Sequence, residues 1–371
     1  MKNNQKVFKV KISLKQWCMS ALLASGLTAV SAQALEVEEI AIGLDNPWGI
    51  AFLPSGNALI TERTGGLRML SQIGVLSNPI PGLPQQSTVG QGGLMGLAIH
   101  PQFAENNYVY VCLSVEVDGK RGSEVHRGKL QGLTLTDVEP IFKMNPKVDK
   151  AHHFGCRVVF DNEGYLFISL GDRALQDEAQ NLDNHIGTVV RLKDDGGVPS
   201  DNPFVTGKAP EIYSYGHRNV QGMTLHPDTG AVWTHEHGPK GGDEINILAA
   251  GNNYGWPSIT YGVNYNGSVI TDDTEMEGMQ QPLVKYVPSI APSGMTFYTG
   301  DEFPEWKGDL FIGALKFRHL QHLEMEGSTV ISQQELLVDR EERIRDVIQG
   351  PDGALYVLVD GANGKVLKLT K

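Results

Sequence analysis

Cysteine is scarce in this chain, with three residues in 371. So few cannot build a disulfide scaffold, and no CxxC pair is present to suggest a zinc site. Positive charge is also in short supply, with 31 Lys and Arg against 43 Asp and Glu. An acidic surface argues against nucleic acid or anionic lipid as partners. The motifs GxxxxGK[ST], GxSxG and HExxH are missing. The string Gly90-Gln-Gly-Gly93-Leu-Met-Gly96 lacks the dinucleotide spacing and leads into a strand-like run, which argues against nicotinamide or flavin chemistry of the Rossmann type. After residue 34 no apolar stretch is long enough to span a bilayer.

The N-terminus reads as a targeting segment. Lys2, Lys6, Lys9, Lys11 and Lys15 precede a mostly apolar run from Trp17 to Val30, and Ala32-Gln33-Ala34 places small residues where signal peptidase needs them. Residues 1–34 are therefore expected to be a cleaved secretory signal, leaving 35–371 as a single periplasmic or secreted domain. Without the five leader lysines the net charge falls from −12 to about −17. Cys112 and Cys156 remain. An oxidising compartment would let them pair, but each sits in a strand-like apolar run, and two buried free thiols are expected.

What the chain has in abundance is glycine, 43 residues spread as punctuation. One phrase recurs around it: a four-residue piece, a Pro/Asp/Gly turn, then a second apolar run, as in a hairpin. The copies begin at Gly49, Gly96, Arg157, Gly222, Gly294 and Arg345, spaced 47 to 72 residues apart. Each interval is long enough for a four-stranded sheet and a loop. Six such units with hardly any helical periodicity predict an all-β six-bladed propeller of four-stranded antiparallel blades. Function is then expected in loops converging at one mouth of the central channel.

Several chemistry-bearing residues lie in the loops flanking these hairpins. They include His152 and His153, the string Tyr215-Gly-His-Arg-Asn219, the run His235-Glu-His-Gly-Pro-Lys240 followed by Gly241-Gly-Asp-Glu244, then Lys316, Arg343 and Arg345. Cations gathered at one mouth of so acidic a chain suggest a ligand with several carboxylates or phosphates. Arg343 and Arg345, two apart, would share one face of a strand; the alternative is that they answer Glu341, Glu342 and Asp346 at the surface. The glycine-rich loop from Gly238, with Glu244 and the later Gly251-Asn-Asn-Tyr-Gly-Trp-Pro257, offers carbonyls and a carboxylate suited to calcium.

The strings GLMGLAIHPQF, HHFGCRVVFDNEGYLFISLGD, GHRNVQGM, HGPKGGDEINILAAGNNYGWP, IAPSGMTFY and RIRDVIQGPDGALYVL occur in order through nearly the whole mature chain. They resemble the soluble aldose sugar dehydrogenases that depend on pyrroloquinoline quinone (PQQ), relatives of soluble glucose dehydrogenase. The resemblance implies His153 as the general base and Gln91 near sugar and quinone. It also implies Arg218 and Asn219 at the quinone carbonyl and rim, and Lys316, Arg343 and Arg345 on the cofactor carboxylates. Carbonyls of Gly238 and Pro239 would ligate the PQQ-bound calcium, while Glu244 and the Tyr254 carbonyl would hold a second, structural calcium. The implied reaction oxidises an aldose at its anomeric carbon to a lactone and returns electrons to an external acceptor. His152 replaces the acidic residue of the glucose dehydrogenases, and Cys156 stands where glycine is usual. Two other readings are a calcium-dependent propeller lactonase, which would not need the Lys316, Arg343 and Arg345 set, and a propeller binding module without catalysis.

Overall fold

A computed structural model describes residues 35–371; the expected signal segment, 1–34, lies outside the described residues. The first strand, β1 (Glu36–Leu44), is set aside by the chain and used last. Blade one holds β2 (Pro47–Phe52), β3 (Ala58–Glu62) and β4 (Gly66–Leu70). Blade two holds β5 (Leu94–Ile99), β6 (Tyr108–Val117), β7 (Lys120–Gln131) and β8 (Thr134–Lys143), and blade three β9 (Val158–Phe160), β10 (Leu166–Ser169), β11 (Thr188–Leu192) and β12 (Ile212–Tyr215). Blade four holds β13 (Val220–Leu225), β14 (Val232–Glu236), β15 (Asp243–Ile247) and β16 (Val284–Tyr286), and blade five β17 (Pro292–Phe297), β18 (Leu310–Ala314), β19 (His319–Glu326) and β20 (Thr329–Leu336). Blade six combines β21 (Ile344–Gln349), β22 (Leu355–Val359) and β23 (Gly364–Thr370) with β1, which pairs antiparallel to β23 and closes the ring.

The six repeated phrases fall on β2, β5, β9, β13, β17 and β21, the innermost strand of each blade. Successive innermost strands touch, and β2 meets β21 to complete the circle. A cavity of about 300 Å³ draws its walls from all six of them, so the channel runs down their common axis. Inside it Arg157 of blade three pairs with Asp346 of blade six at 3.1 Å, and Asp346 also accepts a hydrogen bond from the Ile50 amide of blade one at 3.2 Å.

Six apolar clusters hold the ring, one at each junction between neighbouring blades. The second strands, covered on both faces, are buried from end to end in β3, β10, β14, β18 and β22. This is why they read as continuous apolar runs rather than alternating ones.

Two expectations are corrected. Blade one has three strands instead of four. In place of the fourth, residues 76–80 follow β4 irregularly, with Ser77 N–H to Met69 O at 2.8 Å and Ile80 N–H to Leu67 O at 2.7 Å. Pro79 and Pro81 have no N–H to donate and cannot sustain a regular ladder. The second correction concerns the thiols: Cys112 and Cys156 form a disulfide with Cα atoms 5.6 Å apart. Cys112 lies in β6 as expected, but Cys156 sits before β9 in a turn with φ of 74°, which brings its side chain against blade two. Gly96 makes room: a Cβ there would lie 2.0 Å from the Cys156 carbonyl oxygen and 3.2 Å from the Cys112 Cβ.

The closing strand provides a test of what holds the ring. Leu44 is fully buried in the layer between blades six and one, whereas Ile42 is exposed. Leu44→Ala should cost about 2–4 kcal/mol and Ile42→Ala no more than about 0.5 kcal/mol, as measured by denaturant unfolding. Equal losses would show that burial in this layer does not set the stability.

Candidate functional site

At one mouth of the channel lies a cavity of about 490 Å³. Gln91, His153, Arg218, Asn219, Lys316, Arg343 and Arg345, seven residues singled out from the sequence, all line it. They come from the loop before β5, the turn before β9, the start of β13, the end of β18 and the start of β21. Those are equivalent ends of blades, so distance in sequence becomes proximity in the ring. Arg63 and Arg318 also line it, unforeseen, which gives six cations against one carboxylate, Asp360. Buried Trp48 forms part of the wall, with the Arg157 guanidinium 4.3 Å from its ring centre.

His153 is oriented by a buried acid that sequence reasoning missed. Its Nδ1 lies 2.6 Å from Asp172 Oδ1, and Asp172 Oδ2 accepts a hydrogen bond from Trp256 Nε1 at 2.8 Å. The Ala174 amide also donates to Asp172 Oδ1, at 2.8 Å. With Nδ1–H directed at the carboxylate, the lone pair is left on Nε2. Burial depresses the imidazole below its ordinary 6.5; the Asp172 contact opposes this and Arg218 adds to it. The ring is therefore neutral near pH 7, as a base must be.

The backbone around His153 is tied to its neighbours. The His153 N–H donates to Gln91 Oε1 at 2.8 Å, and the Gly155 N–H to Asn219 Oδ1 at 3.1 Å. Gln91 and Asn219 thus shape the turn as well as lining the cavity, and Asn219 keeps its amide NH₂ for other partners.

Arg343 and Arg345 do share a face. Both reach Asp360 Oδ2, from Arg343 Nη2 at 3.0 Å and Arg345 Nη2 at 3.3 Å. Neither takes Glu342 or Asp346: Glu342 pairs with Arg340 and Lys365, and Asp346 is buried in the channel, paired with Arg157. Burial alone would raise the Asp360 carboxyl, but Arg345 and Arg343 hold it below the ordinary range. Lys316 is exposed and forms no ion pair among the described residues.

Arg218 is a wall common to three spaces. It borders the main cavity, a second one of about 290 Å³ that it shares with His152, His153 and Pro239, and a third of about 10 Å³. Its Nη1 donates to the carbonyls of His237 at 3.0 Å and Gly238 at 2.8 Å. The third space has room for one water-sized species and is lined by Gly238, Glu244 and Tyr254, with Glu236 as a further carboxylate. Glu236 and Glu244 stand directly opposite each other in the β14–β15 register, an unfavourable placement for two anions. Burial, then Glu236, push the Glu244 carboxyl up to about 8.

Backbone crowding explains the glycine at 238, where a Cβ would lie 2.3 Å from the Gly241 and Gly242 carbonyl oxygens. Asp243 pins this loop, accepting from the Gly238 N–H at 2.9 Å and from the Ile290 and Ala291 amides at 2.8 and 2.9 Å. The two histidines nearby have structural surroundings: burial pushes His237 down to about 3, its Nε2 bonded to the Pro292 carbonyl, and His235 packs against Gly222. Asp172 and Asp360 carried no local sequence signal that set them apart from other acids, whereas Glu236 and Asp243 lie in the runs singled out above, though neither had been given a role.

A family model described as glucose / sorbosone dehydrogenase matches residues 44–368. The chain is 44% identical over 361 residues to an aldose sugar dehydrogenase, YliI, of Escherichia coli K12, covering 95% of this chain and 96% of that one. It is 26% identical over 441 residues to quinoprotein glucose dehydrogenase B of Acinetobacter calcoaceticus, covering 96% and 92%. Among solved structures it superimposes on the apo form of the soluble aldose sugar dehydrogenase from Escherichia coli with a TM-score of 0.88 at 44% identity, covering 91% of this chain and 99% of that one. The fold is shared at lower identity, 24%, with the PQQ-bound aldose sugar dehydrogenase of Streptomyces coelicolor, TM-score 0.74, covering 91% and 98%. With a family model spanning almost all of its described residues, and a propeller whose mouth gathers a carboxylate-held histidine and a ring of cations, the chain belongs to the glucose/sorbosone dehydrogenase family.

Proposed function

We propose that this enzyme oxidises aldose sugars at the anomeric carbon to lactones, with PQQ as the electron-accepting cofactor, calcium as its companion ion and an external acceptor completing the cycle. We place it in the periplasm or outside the cell after loss of residues 1–34. The observation that carries the reading is the meeting of a neutral, Asp172-held His153 with six cations in one cavity.

The residues present fit a flat tricarboxylate. Lys316, Arg343 and Arg345 offer charge for its carboxylates, and Asp360 orients the two arginines without cancelling the surplus. When bound, the cofactor supplies a two-electron hydride acceptor. His153 receives the anomeric hydroxyl proton at Nε2. Asp172 fixes the tautomer and stabilises the imidazolium that results. Arg218 brings positive charge to the side of the cavity nearest His153, where negative charge would develop.

The oxygen-rich pocket beneath fits a hard cation. Among the described residues no three His, Cys, Asp or Glu side chains cluster, so an ion here would draw on Glu244, Glu236 and the carbonyl of Tyr254, with those of Gly238 and Pro239 serving the ion beside the cofactor. A divalent ion would relieve the repulsion between the two facing glutamates.

Protein reconstituted with PQQ and calcium should reduce an artificial dye in the presence of aldoses. His153→Gln should lower turnover by roughly 10²–10⁴-fold while PQQ still binds. Failure of the wild-type protein on every aldose would refute the reading, and undiminished turnover of the variant would refute the base assignment.

Because the base must be unprotonated and its pKa lies below 6.5, activity should rise with pH along an acid limb centred below that value. Asp172 raises the pKa, so Asp172→Asn should move the midpoint to lower pH and cut turnover roughly a hundredfold or more. A midpoint at or above 6.5 in the wild-type profile would contradict the assignment.

Calcium should raise the melting temperature of the wild-type protein, and Glu244→Gln should remove most of that increase. An unchanged calcium response in the variant would place the ion elsewhere.

A further inference from the structure

The segment 151–157, which carries His153, has an unusual backbone. His153, Gly155 and Cys156 have φ of 52°, 63° and 74°, three left-handed residues within four. Glycine adopts this region freely, but a residue with a Cβ does so at a cost. A Cβ at Gly155 would lie 2.7 Å from the Ser169 carbonyl oxygen, so the turn cannot relax toward blade three.

Non-covalent ties hold most of the segment. Arg173, fully buried, donates from Nε to the His152 carbonyl at 3.0 Å and from Nη2 to that of Lys150 at 2.6 Å, and its guanidinium lies 3.5 Å from the Phe154 ring centre. Ser123 Oγ donates to the Phe154 carbonyl at 2.9 Å, and the Cys156 N–H to the Ser169 carbonyl at 2.7 Å. At residue 156 itself the side chain is engaged by one bond only, the disulfide to Cys112 in the neighbouring blade. Both cysteines are fully buried, which removes the bond from easy reach of reductants and makes it a permanent part of the fold.

We propose that the Cys112–Cys156 disulfide is a positioning device for the base: it holds residue 156 in the left-handed conformation, and through Phe154 and Gly155, the two residues between them, it sets His153 in register with Asp172. The inference rests on the reading of His153 given above. Its physical content is that a side-chain-bearing residue occupies a glycine-like conformation because a covalent bond to blade two keeps it there. Without the bond, such a residue drifts toward negative φ and the turn spends part of its time out of register. The competent fraction, and turnover with it, then falls.

Cys156→Ala and Cys156→Gly separate this from simple stapling. Both remove the disulfide and leave the same thiol at 112; they differ in the cost of φ at 74°. In holoenzyme reconstituted with PQQ and calcium, Cys156→Ala should lose about tenfold in kcat with KM for the sugar little changed. Its PQQ affinity, followed by tryptophan fluorescence, should also be preserved. Cys156→Gly should recover to within about threefold of wild type. The Nδ1–H proton of His153, observed by NMR through its bond to Asp172, should weaken in the alanine variant and return in the glycine variant. Equal kcat in the two variants, or a wild-type Nδ1–H signal in both, would overturn the proposal. The NMR comparison needs no turnover, so it stands apart from any failure of the enzymatic reading.

Discussion

Everything at the mouth of this molecule depends on closure of the ring. Each blade buries both faces against its neighbours, and the six apolar layers form a continuous circuit only when β1 returns to pair with β23. A propeller left open would expose two such layers to water, at a cost proportional to the apolar area uncovered. Closure also determines geometry. Once the innermost strands are packed around one axis, the loops at their ends share one mouth, and residues separated by nearly 300 positions, such as Asn46 and Arg343, face the same cavity.

The site exploits that convergence in two electrostatic ways. Around the main cavity the cations are left in surplus, because Asp360 is shared by two arginines and Lys316 has no partner among the described residues. In the small pocket the imbalance is reversed, with Glu236 opposite Glu244. Arg218 stands between the two regions and borders both. Opposed surpluses a few residues apart suit a site that assembles an organic anion and a metal cation side by side, each neutralising what the protein leaves uncompensated.

A fully buried Ser214–His217–Glu236 chain, with contacts of 2.9 Å at both steps, has the appearance of a hydrolytic triad. Ser214 borders none of the three cavities at the mouth, and its environment gives a substrate no approach. Glu236 also accepts the Arg218 amide at 2.5 Å, so the chain serves to fix the β14 end on which both Arg218 and the small pocket depend. Geometry alone does not make a catalytic group; access must accompany it.

The repeated hairpin phrase identified the innermost strands because turn chemistry and strand patterning are local, written in four to eight consecutive residues. The same locality made His153, Arg218, Lys316, Arg343 and Arg345 recognisable, each being an unusual residue type beside a repeat boundary. Asp172 and Asp360 were not legible, since a buried acid reads like any other until the fold supplies its partner. Cys156 shows the limit most plainly: its apolar surroundings suggested a strand, whereas a left-handed turn, permitted by Gly96 on the adjacent blade, swung it onto Cys112. The chain by itself determined the blades and the candidate chemistry. Only the folded ring decided which charges, carboxylates and thiols would meet, because those partners sit on neighbouring strands of one blade, as with Asp172, Asp360 and Glu236, or across a blade junction, as with the disulfide, at separations no local pattern reaches.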